Sequence, residues 1–310
     1  MILTVALLVG IPLLLIGGGI AAYWYIGNSG GGASSDPPNA SSEGADVADI
    51  EAAIEKQGFS CYETLSQPTV VRSCYLTASD GAHVAVRMQA GQDGEALHVE
   101  VMGRQSGVGS LTAPRGDPVE PTTQAFTAIS ETLLGSEANE LPEIEGGQSR
   151  TTFVPWGRVE FGAFPDASFA TFAKDGTKPV SGSAVLPASI GDIQKGLGGA
   201  GFACDTDSCD KDAEGTTSLA RVKRGEIRLS VEDAGHPVSD KVLRTHIDAV
   251  LDQLVSGADR EAAMSWASSR LNPEHGFVQG DAGGLHIEIA RDGAESAEVV
   301  IQPAQARFPS

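Results

Sequence analysis

The chain has 310 residues, which is enough for two domains of ordinary size. Its formal net charge of −20 argues against nucleic acid and anionic lipid head groups as partners, because both would be repelled. Its six histidines show no spacing typical of zinc sites, so we expect no metal or other cofactor.

Residues 1–26 carry no charged side chain and are apolar almost throughout. The segment is long enough to cross a bilayer, and three aromatic residues at positions 23–25 fall where an aromatic belt would lie. We therefore predict a transmembrane helix that acts as a signal-anchor. The alternative is a cleaved signal peptide, with Gly19 and Ala21 as the small residues before the cleavage site. The missing basic region and the aromatic residues favour the anchor.

Residues 27–45 are rich in glycine, serine, asparagine and proline, which predicts a flexible linker. No lysine or arginine precedes Lys56, so flanking charge decides the orientation of the anchor only weakly. The cysteines fall in two pairs, which favours an oxidising compartment. We expect a single-pass protein of the cell membrane with the bulk of the chain extracytoplasmic.

A helix-into-strand unit occurs twice in the chain. In each copy a capping residue precedes an apolar stripe with helical spacing, a glycine follows the helix, and a strand opens with Phe-x-Cys. The matched residues are Asp46 and Ser189, Val47 and Ile190, Ile50 and Ile193, Ile54 and Leu197, Gly58 and Gly201, Phe59 and Phe202, and Cys61 and Cys204. The repeat divides the chain into module 1 (residues 46–173), a linker (residues 174–188) and module 2 (residues 189–310).

Each module contains a cysteine pair that a hairpin would bring together. A turn near residues 67–68 sets Cys61 opposite Cys74, and a turn at residues 206–207 sets Cys204 opposite Cys209. Cysteines that face each other across a hairpin have the geometry that a disulfide requires. We therefore predict one disulfide in each module.

Further hairpins follow from turn signals and alternating apolar residues. A turn at residues 92–93 predicts the pairs Val84 and Val101, Val86 and Val99, and Met88 and Leu97. A turn at residues 224–225 predicts the pairs Val222 and Ile227, and Ala220 and Leu229. Helical stripes occupy residues 121–134, the stretch from Ser239 to Gly257, and residues 258–271.

The predicted fold class is α+β, with each module an antiparallel sheet that has helices on one face, in the order α-β-β-β-α-β-β. This order loosely resembles that of type III secretion chaperone-like domains. The resemblance covers the order of elements and no motif, so it implies a fold and no function.

One face of each sheet is predicted to be polar and to present cations. The candidate binding residues are Arg72, Arg87 and His98 in module 1, and Arg221 and Arg228 in module 2. Such a face would bind an anionic ligand or join the two modules. The alternative is that Glu63, Glu100 and Glu226 neutralise these cations as ordinary cross-strand pairs.

Two weaker patterns favour simpler interpretations. Asp210, Asp212 and Glu214 have the spacing of the first half of an EF-hand loop, but Arg221 replaces the glutamate that would complete it. A solvated acidic turn is therefore favoured over a calcium site. Asp248 and Asp252, near His246, are typical of the exposed side of a helix rather than of an acid-base pair.

The sequence favours a non-catalytic, membrane-anchored binding or scaffold protein, because no nucleophile, metal or phosphate-binding pattern is present in full. Residues 1–26 would make the membrane contact, and the expected partner is a protein or another component of the cell envelope. The alternative is an envelope hydrolase, with carboxylates and His98 assembled between the modules.

Overall fold

The computed structural model describes residues 45–65, 69–104, 116–142, 146–164, 167–179, 185–213, 216–273 and 276–304. The predicted transmembrane helix and all but the last residue of the linker after it lie outside these ranges. None of the helices in the described part of the chain is both long and apolar enough to cross a bilayer.

Module 1 forms a seven-stranded antiparallel sheet in the order β1-β2-β3-β4-β7-β6-β5. Its elements are α1 (Val47–Glu55), β1 (Ser60–Leu65), β2 (Val71–Thr77), β3 (His83–Ala90), β4 (Ala96–Arg104), α2 (Val119–Leu134), a 3₁₀ helix (Gly135–Glu140), β5 (Gln148–Val154), β6 (Gly157–Phe164) and β7 (Ala167–Lys174). The last strand, β7, lies between β4 and β6 and so joins the two halves of the sheet.

Module 2 forms a second seven-stranded antiparallel sheet, in the order β8-β9-β10-β11-β14-β13-β12. Its elements are α3 (Ile190–Gly199), β8 (Ala203–Cys204), β9 (Ser208–Ala213), β10 (Thr216–Lys223), β11 (Glu226–Asp233), α4 (Asp240–Leu254), α5 (Gly257–Ser268), β12 (Phe277–Ala282), β13 (Leu285–Asp292) and β14 (Ser296–Pro303). Strand for strand this is the order of module 1, and both modules are α+β.

The predicted element order is one strand short on each side of the second helix. Each module has four strands before that helix and three after it. The last strand of each module is central in its sheet: β7 pairs with β4 and β6, and β14 pairs with β11 and β13.

Helices cover one face of each sheet. In module 1, α1 and α2 pack over the sheet. The core between them includes Ile50 and Ile54 of α1, Ile129 of α2, and Val86, Phe161 and Phe172 of the sheet. In module 2, α3, α4 and α5 do the same, and the core includes Ile193, Leu197, Leu229, Leu243, Ile247 and Ile287. Burial of these side chains supplies the main driving force for each sheet to fold against its helices.

The helix starts and stops follow local sequence chemistry. Ser189 caps α3, since its hydroxyl accepts a hydrogen bond from the backbone N–H of Asp192 at 3.2 Å. Asp46 precedes α1 at the matching position but makes no such side-chain bond. Gly58 and Gly201, one after each helix, adopt φ values of 93° and 89°, a conformation that favours glycine.

Most of the predicted strand registers are correct, and one is displaced. Cys61 lies opposite Cys74, and Cys204 lies opposite Cys209. The β10–β11 register is also as predicted, with Val222 opposite Ile227 and Ala220 opposite Leu229.

The β3–β4 register differs from the prediction by two residues. Val86 lies opposite Val101, and Met88 lies opposite Val99. The cause is a longer turn, in which Gly94 has a φ of 91°, together with an irregularity beside Gln89. A shift of two residues leaves every side chain on its predicted face of the strand.

Candidate functional site

The modules meet through the sheet faces that the helices do not cover. Strand β12 of module 2 lies against β1 and β2 of module 1. Trp266 on α5 donates its indole N–H to the hydroxyl of Tyr62 at 3.1 Å. The rings of His83 and Phe277 pack with their centroids 3.9 Å apart and their planes tilted by 38°. These contacts join residues from both halves of the chain.

Asp281 on β12 is the centre of a buried polar cluster at this boundary. Its Oδ2 accepts a hydrogen bond from the Thr64 hydroxyl at 2.7 Å, and its Oδ1 accepts one from the Tyr75 hydroxyl at 2.8 Å. The Oγ of Ser73 lies 2.6 Å from the Thr64 hydroxyl. Module 1 therefore supplies hydroxyl donors to a carboxylate of module 2, and these bonds hold the two sheets together.

His286 on β13 lies between two carboxylates and has no solvent-exposed surface. Its Nδ1 lies 2.8 Å from Asp281 Oδ1, and its Nε2 lies 3.2 Å from Glu288 Oε1. Burial acts to lower the pKa of His286, but the hydrogen bonds and charges of the two carboxylates outweigh burial, and its pKa is raised above 6.5. The protonated imidazole is thus the form that this cluster stabilises, with a hydrogen bond donated at each nitrogen.

Arg87 is the one predicted binding residue that contributes charge to this cluster. It is buried on β3, where its neighbours across the strands are Ser73 and Glu100. Burial lowers its pKa, and the charges of Glu100, Tyr75 and Asp281 act against that effect. A buried guanidinium near these groups balances part of the negative charge at the boundary.

The prediction that Arg72 shares the polar face of Arg87 is wrong. Arg72 lies opposite Met88, whereas Arg87 lies opposite Ser73, so the two arginines point to opposite faces of the sheet. Arg72 is on the helix side and pairs with Glu51 of α1 at 3.2 Å and with Glu63 at 3.5 Å. The physical reason is that the buried disulfide is an apolar group, which packs into the helix-covered core.

Both disulfides are present in the structure, between Cys61 and Cys74 and between Cys204 and Cys209. Cys74 and Cys209 are buried in the cores of their modules. Each disulfide therefore joins the first two strands of its sheet. In module 1 these strands, β1 and β2, lie at the module boundary, whereas in module 2 β8 and β9 lie at the end of the sheet opposite β12.

The remaining predicted cations lie apart from the buried cluster. His98 is buried and its Nε2 lies 3.0 Å from Glu100 Oε1. Arg221 is exposed on β10, opposite Arg228 of β11. Arg228 donates to Glu298 at 2.8 Å and to Glu226 at 3.3 Å. Glutamates pair with His98 and Arg228, as the alternative interpretation of this face expected.

Glu298, the partner of Arg228, is itself buried on β14. Burial raises the pKa of Glu298, the nearby carboxylates Glu288 and Glu226 raise it further, and Arg228 acts in the opposite direction. Carboxylates on three neighbouring strands of the second sheet, β13, β14 and β11, thus act on one another.

The structure gives no support to a metal site at the sequence patterns considered above. Asp210 and Asp212 are exposed on the strand β9 instead of a binding loop, and Glu214 lies outside the described residues. In the described part of the chain, Glu51, Glu55 and Cys61 come within metal-binding distance of one another. Cys61, however, is committed to a disulfide.

His246 and the two aspartates near it in sequence do not form an acid-base group. Asp248 and Asp252 both pair with Arg260, at 2.5 Å and 3.2 Å. His246 is buried, with its ring 4.9 Å from that of Phe202. Burial, and secondarily the charge of Lys211, lower the pKa of His246 to about 4. It is a neutral core residue at pH 7.

Sequence reasoning missed the residues that matter most at the boundary. These are Thr64, Tyr75, Asp281, His286 and Glu288. One signal was present: the stretch Leu285–Ala290 alternates cleanly and places a histidine and a glutamate on the face opposite its apolar residues. That pattern is typical of a strand with one solvent-facing side. Both side chains are buried because module 1 packs against that side.

Neither a protein-family model nor a curated protein matches the chain. A histidine that acts as a general base needs one nitrogen directed at the group it deprotonates. Both nitrogens of His286 are directed at carboxylates, and Asp281 is only 5% exposed. This arrangement suits a structural contact between modules better than a reaction centre.

Proposed function

We propose that the chain is a single-pass, membrane-anchored protein whose tandem α+β modules act as a non-catalytic binding or scaffold module in the extracytoplasmic space. The observation that carries this proposal is the complete burial of His286 between Asp281 and Glu288. The residue set with the most obvious catalytic chemistry is used to join the modules. A fixed pair of modules is a suitable platform for holding a protein or envelope component.

The setting is supported by separate features. Two disulfides are typical of an oxidising compartment, which supports an extracytoplasmic location. The uncharged, apolar residues 1–26 support an anchor in the membrane. The charge of −20 argues that the partner is not an anionic polymer.

A second candidate function is an envelope hydrolase with a site between the modules. The observation that favours it is that two carboxylates and a histidine do meet at this boundary. Such a site would require the modules to separate, since no exposed surface of His286 is available to a substrate.

One pair of measurements tests the proposal. The first is a non-reducing peptide map of the full chain from membranes with free thiols blocked at lysis, where we expect both disulfides intact. Four free thiols would place the modules in a reducing compartment and contradict the location.

The second measurement separates scaffold from hydrolase. The full chain and its Asp281→Asn variant are assayed against ester, glycoside and peptide substrates. We expect no turnover by either protein. Turnover by the wild type that disappears in Asp281→Asn, with the circular dichroism spectrum retained, would replace the scaffold proposal with the hydrolase.

A further inference from the structure

Within the described residues, the contact between the modules lies at one end of the strand order of each sheet. Module 1 contributes β1, β2 and β3, and module 2 contributes β12, β13 and Trp266 of α5. Because the two sheets have the same strand order, module 1 also has an unused counterpart of β12–β13, namely β5–β6. Module 2 likewise has an unused counterpart of β1–β3, namely β8–β10. We propose that a second copy of the chain docks there, with β8–β10 of one copy against β5–β6 of another.

The strand registers define which residues correspond. In each sheet, one row of directly paired residues crosses six neighbouring strands. In module 1, from β2 to β5, the row is Cys74, Val86, Val101, Ala170, Phe161 and Arg150. In module 2, from β9 to β12, the row is Cys209, Ala220, Leu229, Val299, Ile289 and Val278. The two rows start at the equivalent disulfide cysteines and match at every strand. Every other residue on these strands can therefore be placed by counting from its row.

The residues of β5–β6 and β8–β10 that correspond to the boundary residues follow from these two rows. On β5–β6, Phe153 occupies the position of Asp281 and Arg158 that of His286. On β8–β10, Asp210 occupies the position of Tyr75 and Arg221 that of Arg87. We call the β5–β6 set, Ser149, Phe153 and Arg158, the module 1 rim. We call the β9–β10 set, Asp210, Thr217 and Arg221, the module 2 hairpin.

One contact of the internal boundary becomes an ion pair when it is transferred between copies. Within one chain, the ring of Tyr75 lies 5.0 Å from that of His286. The corresponding residues are Asp210 of the module 2 hairpin and Arg158 of the module 1 rim. Their charges are opposite, so the same docking geometry brings an acid to a base.

Two further contacts also transfer to compatible pairs, whereas the hydrogen bonds that Asp281 accepts do not, because Phe153 occupies its position. The charge of Asp281 acts on Arg87 within the chain, and the corresponding pair, Phe153 and Arg221, can form a cation–π contact. The rings of His83 and Phe277 are in contact within the chain, and their counterparts are the hydroxyl residues Thr217 and Ser149. No transferred pair brings together two like charges.

These surfaces are open to solvent in the single chain. Phe153 is 76% exposed on an edge strand, whereas its counterpart Asp281 is 5% exposed. Arg158, Asp210 and Arg221 are all exposed. Phe153 lies on the edge strand β5, and an exposed edge strand with an apolar side chain is a ready site for a second chain. Docking of a second copy would cover it.

A contact between two different surfaces of the same chain is heterologous, so it either closes into a ring or continues into a chain of copies. The association depends on the sheet edges and not on the membrane anchor or on catalysis, and it therefore stands independently of the proposed function.

The test uses charge reversal on each surface. The full chain in detergent solution is studied by sedimentation velocity over a range of concentrations, alongside Arg158→Glu and Asp210→Arg. We expect the wild type to form species of two or more copies, and each variant to weaken that association about tenfold or more. An equimolar mixture of the two variants should recover it. In the mixture, Asp210 of one variant meets Arg158 of the other, and the two introduced residues also meet as opposite charges.

Two matched variants control for the change in net charge. Arg244→Glu and Glu131→Arg reverse exposed charges on α4 and α2, and both should associate like the wild type. A wild type that stays a single copy up to about 1 mM would overturn the proposal. So would association that survives both charge reversals, which would place the contact elsewhere, or a mixture that fails to recover.

Discussion

Removal of the Asp281 carboxylate is the most direct perturbation of the module boundary. Asp281→Ala takes an acceptor from Thr64 and Tyr75 and a charge partner from His286. Breaking a buried ion pair by removing one partner costs about 3–5 kcal/mol, because the other charge stays buried. We expect a loss of unfolding free energy of that size.

The hydrogen bond from Tyr75 can be separated from the rest by a double-mutant cycle. Tyr75→Phe removes the hydroxyl that donates to Asp281 at 2.8 Å and keeps the ring. A hydrogen bond to a charged group contributes about 1.5–3 kcal/mol. Once Asp281 is alanine the hydroxyl has lost its acceptor, so the coupling between the two substitutions should exceed about 1 kcal/mol.

The assay is urea unfolding of the full chain in detergent solution, followed by tryptophan fluorescence, since Trp266 lies at the boundary. The control pairs Asp281→Ala with Thr122→Val. Thr122 is buried within module 1, where its hydroxyl lies 2.6 Å from that of Ser168. That pair should be additive. The reasoning would be refuted by a coupling below about 0.5 kcal/mol for Tyr75 and Asp281.

The same cluster predicts a pH dependence. The pKa of His286 is raised above 6.5 in the folded state, so the folded state binds the proton more tightly than the unfolded state. The stability that this contributes is full below pH 6.5 and is lost as pH rises through the raised pKa. His286→Gln should reduce the fall of the unfolding free energy with pH above pH 6.5. An unchanged slope there would contradict the assignment of the protonated form.

Three further predictions concern positions away from this cluster. The pKa of His246 is lowered to about 4, so its contribution to the unfolding free energy is full above pH 6.5 and falls by about 3 kcal/mol as pH drops to 4. In urea titrations, His246→Phe should therefore reduce the loss of unfolding free energy between pH 6.5 and pH 4. Gly280→Ala would place a Cβ 2.7 Å from the Trp266 ring and should destabilise the fold by about 1–3 kcal/mol, measured as a lower urea midpoint with an unchanged slope. Replacing Cys204 and Cys209 together by serine should lower the unfolding free energy by only about 2 kcal/mol, because the loop between them is short. An unchanged midpoint temperature of thermal unfolding would contradict that figure.

Local chemistry made much of the fold predictable. The positive φ of Gly58 and Gly201 and the facing cysteines are set by residues close together in sequence. Each is specified by steric or covalent rules that act within one helix end or one hairpin. The displaced β3–β4 register shows the limit, since a longer turn and one strand irregularity move the pairing by two residues without changing the apolar pattern.

The candidate site was hard to predict because its parts are distant in sequence. Thr64 and Tyr75 lie 217 and 206 residues from Asp281. The face of Arg72 was also assigned wrongly, since the sequence of β2 does not show which of its faces the helix α1 will cover. Both depend on the packing of complete elements, and periodicity within one strand does not contain that information.

The buried charges at the boundary provide specificity that apolar faces would lack. The two sheets have the same strand order, so uniformly apolar faces could mate in several combinations. Asp281 requires hydroxyl donors, which Thr64 and Tyr75 supply. The module 2 hairpin has Asp210 at the position of Tyr75, and docking it against Asp281 would bury a second carboxylate beside the first. Repulsion between Asp210 and Asp281 disfavours docking of the module 2 hairpin at the internal boundary. A basic surface such as that around Arg158 does not repel it.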